Sequence, residues 1–459
     1  MKRLKKTLAV ILTLCMMMSC VSVTAFATGT DASENEQPVT EETKASEEAD
    51  ASSDDASKEA VVSSDSEEEN TEVTLEDKWL NPQSSGVSTT SSTDDFFKIT
   101  FLDCGRKYFS VDNIKKIIDN AAKAGFNYIQ LAVGNDGLRF LLNDMSLTVN
   151  GTTYNSKEVS SAIHEGNEKY HNFDKDELTE SEMDTIIAYA KSNGLGVIPC
   201  INSPGHMDAI LSAANSLTGK ICSYNDSVRT IDVTNNTAVA FTQALIQKYI
   251  TYFADKECRY FNIGADEYAN DIYTSGSMGF GNLQQTRKYD RYVQYVNQMD
   301  ELVKNSGMTT MAFNDGIYFN NNTSYGTFNT DIIVCYWSNG WSGYTPMPAE
   351  KLASKGFKLI NTHGGYYWVL GKRDSQCDAT KASGFNYKNF QGGTINNPAG
   401  AMFCIWCDYP GAGTEESVIN STAATITAFG KTLPGNTNNG GTTEPTDPTN
   451  QQKRQLQLV

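Results

Sequence analysis

The chain has 459 residues, four histidines and a formal net charge of −18. About fifteen of those charges fall in residues 28–93, so the acidity belongs to one stretch and the rest is near neutral. A near-neutral body without a basic stripe excludes nucleic acid as the expected partner. The scattered histidines give no metal-ligand spacing, and no cofactor or metal is expected.

Residues 1–27 read as a secretory signal. Lys2, Arg3, Lys5 and Lys6 precede an apolar run from Leu8 to Met18, and Ala25-Phe26-Ala27 offers a small-x-small cleavage site. The expected location is secreted or extracellular, with lipid attachment at Cys20 the weaker alternative. Residues 28–93 are Ser, Thr, Ala, Asp and Glu with almost no aromatics, which cannot bury enough surface to order themselves. Residues 94–433 are long enough for one large core. Residues 434–459 turn to Asn, Gly, Thr and Pro, a linker and tail. Of ten cysteines, eight lie beyond the signal, several inside apolar runs, where buried free thiols are preferred to disulfides.

Strand and helix patterns alternate through 94–433. Strands are predicted at Phe97–Leu102, Asn127–Val133, Gly196–Ile201, Arg259–Ile263, Thr309–Phe313, Ile332–Tyr336, Phe357–Ile360 and Ala401–Ile405. Helices are predicted at Val111–Ala124 with Ser110 as N-cap, Thr179–Ser192 with a capping box to Glu182, Thr237–Phe253, Leu283–Asn305 and Glu415–Phe429. The excursion 134–177 carries little periodicity, and loops of that length are usually functional. Eight strands with helices between most of them predict an α/β fold, a (β/α)8 TIM barrel. Polar and aromatic residues recur just after the strands, which in a barrel share one face.

The densest signal is Gly264-Ala265-Asp266-Glu267. The strand thins to small residues and delivers two adjacent carboxylates. Burial and mutual repulsion would raise at least one of their pKa values, the mark of acid–base chemistry. With the amides, one Arg and several aromatics at other strand ends, the set outlines a sugar site. Aromatic faces stack on pyranose rings and charged groups bond hydroxyls. Glycoside cleavage usually needs two carboxyl groups flanking the bond. Neighbouring strand residues point to opposite sides, which suits a substrate that supplies its own nucleophile.

Five segments in order carry a resemblance. FNIGADE, LDCGRKYFS, VIPCINSPGHM, AFNDG and IWCD resemble strand exits of glycoside hydrolase family 20, the substrate-assisted β-N-acetylhexosaminidase and lacto-N-biosidase type. The resemblance covers essentially all of the folded part. It implies Glu267 as general acid and base with a pKa raised toward neutrality. Asp266 would orient the substrate's 2-acetamido group and stabilise an oxazolinium intermediate. Tyr367 or Tyr366 would bond the acetamido oxygen, and Trp337 and Trp406 would wall it. Arg106 and Asp408 would hold hydroxyls, with Asn135, Asn202, His206 and Asp315 among the binding residues and His206 supporting Asp266 or its neighbours. Cys200, Asn202, Asn135, Phe313 and Asp408 depart from the family's usual Glu, Asp, Asp, Trp and Glu. These departures put the substrate in doubt more than the reaction.

The expected function is removal of terminal β-linked N-acetylhexosamine from a glycan, with no stable protein partner. The alternatives are release of a Gal-β-1,3-GlcNAc disaccharide and a non-catalytic carbohydrate-binding barrel.

Overall fold

A computed structural model describes residues 96–436 apart from 275–276 and 373–375. The signal, the acidic stretch and the C-terminal tail lie outside the described residues, apart from 434–436. Among the described residues, no helix is long and apolar enough to cross a membrane.

Eight parallel strands form the centre: β1 Phe97–Leu102, β2 Tyr128–Asn135, β3 Gly196–Ser203, β4 Tyr260–Gly264, β5 Thr309–Phe313, β6 Ile333–Tyr336, β7 Leu359–Asn361 and β8 Gly400–Trp406. Each pairs with the next in chain order, and β1 pairs with both β2 and β8, so the sheet closes into a barrel. Closure removes every sheet edge, and alternation along each strand divides the apolar residues between two cores. Inside lie Ile99, Phe101, Ile198, Met311, Phe313, Ile333, Ile360 and Met402. Outside, the strands pack against helices through residues such as Ile129, Leu131, Phe261 and Val334. Phe97 and Tyr128 meet Tyr260 edge-on at 5.0 and 5.6 Å near the strand starts. Few polar side chains interrupt the strands (Thr100, Gln130 and Asn262 are buried within them), and the charged ones gather at the strand ends.

The helices are α1 Val111–Lys123, α2 Ser156–Tyr170, α3 Glu180–Ser192, α4 Asp208–Thr218, α5 Asn236–Asp255, α6 Tyr289–Asn305 and α7 Glu415–Gly430, with shorter pieces between. The α1 helix buries Ile114, Ile117, Ile118 and Ala121, as its spacing predicts. Ser110 precedes it without capping it; its hydroxyl donates to Glu415 instead, at 3.0 Å. Thr179 and Glu182 form the expected capping box.

Several features differ from the sequence expectation, among them α4, Asp208–Thr218, which is not one of the expected helices. The excursion after β2 contains the 15-residue α2, opened by a capping box of Asn155 and Glu158. The helix expected over Leu283–Asn305 breaks in two, Gly279–Gln285 and α6, because Arg287 between them adopts a left-handed φ of 58°. After β6 the chain makes only the short helix Ala349–Ser354. All eight cysteines of this region are free and buried.

Candidate active site

A cavity of about 690 Å³ opens at the C-terminal ends of the strands. Arg106 (after β1), Asp136 (after β2), His206 (after β3), Asp266 and Glu267 (after β4), Trp337 (after β6), Tyr367 (after β7), and Trp406 and Asp408 (at the end of β8) all line it.

The backbone at the dyad is bent to deliver both carboxylates. Gly264, Ala265 and Glu267 have φ of 73°, 65° and 47°, and His206 and Asp136 of 52° and 57°. Left-handed conformations at non-glycine residues are costly and gather at functional sites. Gly264 is required twice over, since a Cβ there would also stand 2.0 Å from Asn202 Oδ1. That close approach brings Asn202 Nδ2 to donate to Asp266 Oδ1 at 2.7 Å.

The Asp266 carboxyl is raised, first by burial and then by Glu267, against the lowering pull of His206 and Asn202. Glu267 goes the other way. Burial pushes it up, but the hydrogen bond and charge of His206, with Arg106 beyond, hold it below the ordinary glutamate range. This corrects the expectation of a raised Glu267. The raised partner is His206, which burial would neutralise but the Asp136 carboxylate, followed by Glu267 and Asp266, keeps charged. His206 Nδ1–H donates to Asp136 at 2.9 Å and Nε2–H to Glu267 Oε2 at 3.2 Å. Asn270 Nδ2 donates to the same Oε2 at 2.9 Å. The proton that Glu267 would deliver is therefore shared with His206.

Arg106 is no surface ion pair. It is buried, with Nε on Asp136 at 2.7 Å and Nη1 on Asp408 at 3.1 Å and Asp103 at 3.3 Å. Burial drives Asp136 up, but Arg106 and His206 outweigh it and hold its carboxyl well down. Asp136 was legible only as one of several polar residues at strand ends. The structure shows it, rather than neighbouring Asn135, as the carboxylate that fixes His206.

Four expected binding residues do not line the cavity. Asn135 and Asn202 are buried behind Asp266, 3.4 Å from one another. Asp315 is fully buried and accepts from Glu267 N–H at 2.9 Å, Trp337 Nε1–H at 3.0 Å and Tyr344 O–H at 2.6 Å. Burial and Asp266 push its carboxyl up to about 7. Tyr366 turns away, packing edge-on against Phe385 with its hydroxyl on Gly384 O. Of the two candidates, Tyr367 is the one that lines the cavity. Its ring lies 5.6 Å from Trp406, and its buried hydroxyl, with Thr362 and Cys404 beside it, makes no well-formed hydrogen bond among the described residues, nor does Trp406 Nε1. Tyr170, Arg229, Trp341 and Tyr409 also line the cavity and were not foreseen. They stand on loops and a helix end, where no strand pattern flags them.

His206, Asp266 and Glu267 each present one potential metal ligand within 4.8 Å of one another. Both ring nitrogens of His206 lie against carboxylates, and Asn202 and Asn270 donate to Asp266 and Glu267, so in this arrangement the three groups serve one another.

The family model for "Glycosyl hydrolase family 20, catalytic domain" matches residues 97–399, and the chain belongs to that family. Lacto-N-biosidase of Bifidobacterium bifidum is 29% identical over 259 residues, covering 52% of this chain and 22% of the relative. Beta-hexosaminidase subunit A1 of Dictyostelium discoideum is 23% identical over 284 residues, covering 60% of this chain and 46% of the relative. The chain thus matches less than half the length of these curated relatives. A solved catalytic module of the pneumococcal exo-beta-D-N-acetylglucosaminidase StrH is 38% identical with a TM-score of 0.69, covering 73% of this chain and 83% of that one. The fold and family are those of hydrolases acting on glycosidic bonds.

Proposed function

We propose that the chain is a retaining exo-β-N-acetylhexosaminidase that works outside the cell, by substrate-assisted catalysis. The observation that carries this reading is the pair Asp266 and Glu267 in one cavity, held differently. Asp266 is gripped by Asn202 beside the unpartnered Tyr367 hydroxyl, and Glu267 shares a proton with His206. In the first step the acetamido oxygen of the substrate bonds to C1 as the C1–O bond breaks. The leaving oxygen takes its proton from Glu267, which His206 supports. The nitrogen of the resulting oxazolinium carries positive charge, which the Asp266 carboxylate faces, and Tyr367 O–H donates to the acetamido oxygen. Water then adds to C1, gives its proton to Glu267, and the ring opens with the configuration retained.

The likeness to an exo-beta-D-N-acetylglucosaminidase module supports single-sugar release. Disaccharide release stands as a second reading. It is favoured by the lacto-N-biosidase likeness and by Tyr170 and Arg229, which line the same cavity near Arg106 and Asp136 and offer further groups to a second sugar. A pair of chromogenic substrates, one bearing N-acetylglucosamine and one lacto-N-biose, separates them. Release from the first supports the exo reading and release only from the second supports the other. Release from neither leaves a sugar-binding barrel. Residues 1–27 motivate the location, and activity confined to the cytoplasmic fraction of the producing cell would overturn it.

A further inference from the structure

Asn270 stands three residues after Glu267 and folds back onto it. Glu267 and Ala269 have left-handed φ of 47° and 46°, and Asn270 N–H closes the turn on Glu267 O at 3.4 Å. Buried Thr230 pins that turn, its Oγ1 accepting from Ala269 N–H at 3.0 Å. Left-handed backbone at two non-glycine residues is costly, and it persists where surrounding contacts hold it. The result is one contact: Asn270 Nδ2 donates to Glu267 Oε2 at 2.9 Å. The other end of the amide, Oδ1, is buried with no hydrogen-bond partner among the described residues. A side chain kept for packing alone would not need a buried acceptor left unsatisfied. Asn270 is not among the residues lining the cavity, so its donor end serves Glu267 rather than substrate.

The two carboxyl oxygens of Glu267 are thereby unlike. Oε2 accepts twice, from Asn270 and from His206 Nε2–H at 3.2 Å. No described group donates to Oε1, and Glu267 lines the cavity with 22% of its side chain open. A proton on Oε2 would point at two N–H donors, whereas one on Oε1 points where a departing oxygen can take it. His206 alone cannot enforce this choice. It titrates, and an imidazole that has passed its Nε2 proton to Oε2 becomes an acceptor that holds that proton on the wrong oxygen. An amide NH2 has no such second state and donates at every working pH.

Resting on the hexosaminidase reading above, we infer that Asn270 is a positioning residue that keeps the transferable proton of Glu267 on Oε1. That proton passes to the departing oxygen as the C1–O bond breaks, and Glu267 is left ionised with both donors still on Oε2. When water adds to C1, Oε1 takes its proton and the starting form is restored. The same donor favours the ionised carboxylate, so Glu267 gives up its proton at a lower pH than it would without Asn270. The charged and titratable groups facing Glu267 are His206, Arg106, Asp136, Asp266, Asp408 and Tyr344, with Asp315 on its N–H. None of them is altered by a substitution at Asn270.

The test compares Asn270→Ala and Asn270→Asp with the wild type on two glycosides. These are methyl N-acetyl-β-glucosaminide, whose departing oxygen needs a proton, and dinitrophenyl N-acetyl-β-glucosaminide, whose departing oxygen does not. For Asn270→Ala the expected result is a roughly tenfold fall in kcat on the methyl glycoside and a change within about twofold on the dinitrophenyl glycoside. The alkaline limb of kcat on the methyl glycoside should move up by about one pH unit, because Glu267 loses a donor to its ionised form. Asn270→Asp keeps the shape, replaces the permanent donor by a carboxylate, and should show the same selective loss with the limb at least as far up. In a Glu267→Gln background, Asn270→Ala should cost nothing further on the methyl glycoside, since Asn270 acts through Glu267. Equal losses on both glycosides, a limb that stays put, or a full further loss in the Glu267→Gln background each overturn the assignment and leave the hexosaminidase standing. A wild type that cleaves neither glycoside overturns the hexosaminidase reading and the assignment with it. The Ki of a thiazoline inhibitor that fills the terminal-sugar site, within about twofold of wild type, shows that a weakened variant still holds a folded site.

Discussion

The two flanks of the catalytic cavity satisfy their polar groups in opposite ways. On the acid flank, Arg106, Asp136, His206, Glu267 and Asp315 form one continuous network in which each charge has protein partners. Across the cavity and behind Asp266, Tyr367 Oη, Trp406 Nε1, Asn202 Oδ1 and Asn135 Nδ2 are buried without a hydrogen-bond partner among the described residues. The difference follows from what each kind of group costs. An unpaired buried charge costs several kcal/mol, so the protein must neutralise it within its own fold. A neutral unpaired donor or acceptor costs about 1–3 kcal/mol, which a large barrel tolerates where a ligand later supplies the partner. The charged flank is machinery that exists before substrate arrives. Of these neutral groups, Tyr367 Oη and Trp406 Nε1 belong to residues that line the cavity; they gain their bonds from substrate, and so are where the acetamido group is read.

The sharpest way to break this division is at Glu267. Glu267→Gln keeps a group on His206 and Asn270 but carries no transferable proton. The expected loss is about a thousandfold in kcat on sugar leaving groups and much less on activated aryl glycosides. Equal losses on both would remove Glu267 from the acid role. Next comes Asp266→Ala, with a fall of about a hundredfold or more in kcat and little change in KM, because its interaction grows as the oxazolinium charge develops. Near-normal kcat in that variant would sink the assignment.

The flanks should then separate by stability. Tyr367→Phe removes a hydroxyl that makes no well-formed hydrogen bond with its polar neighbours Thr362 and Cys404, so kcat/KM should fall about tenfold or more with little change in melting temperature. Asp315→Ala leaves Glu267 N–H, Trp337 Nε1–H and Tyr344 O–H without their acceptor. A loss of about 3 kcal/mol in denaturant unfolding is expected. If Tyr367→Phe also lowered the melting temperature, its hydroxyl would belong to the structural network and the contrast between flanks would fail.

Much of this was legible in the chain because barrel strands are short apolar runs ending in polar residues, and β1 and β3–β8 follow that pattern. The dyad was legible for a related reason: two carboxylates after Gly264-Ala265 have no place in a packed strand. The α2 helix was missed because its apolar positions are sparse, Val159, Ala162 and Ile163 among polar neighbours, although the Asn155-x-x-Glu158 capping box was there to read. The direction of the Glu267 shift was missed because it depends on His206 and Asp136, from two other strand ends, which only closure of the barrel brings together. Trp341 and Tyr344 were invisible for the same reason, since a loop tryptophan carries no periodicity. Tyr366 and Tyr367 could not be told apart until the turn at Gly364 sent one ring out and one in.

The smallest expected effect concerns Asn202, where the family usually has Asp. Asn202 Nδ2–H donates to Asp266 at 2.7 Å and favours its ionised form, against burial and the Glu267 charge, which raise it. Asn202→Asp removes that donor and sets a second carboxylate against the first, so the Asp266 pKa moves further up. Asp266 must be ionised to face the oxazolinium. On lowering the pH, activity should therefore be lost sooner: the acid limb of kcat against pH shifts to higher pH, while the rate above that limb stays close to wild type. The alkaline limb, set by the proton shared between His206 and Glu267, should not move. An acid limb that stays put or moves down would mean that Asp266 is not the group that must be ionised. The division between a pre-satisfied charged flank and a neutral one completed by substrate would then need another boundary.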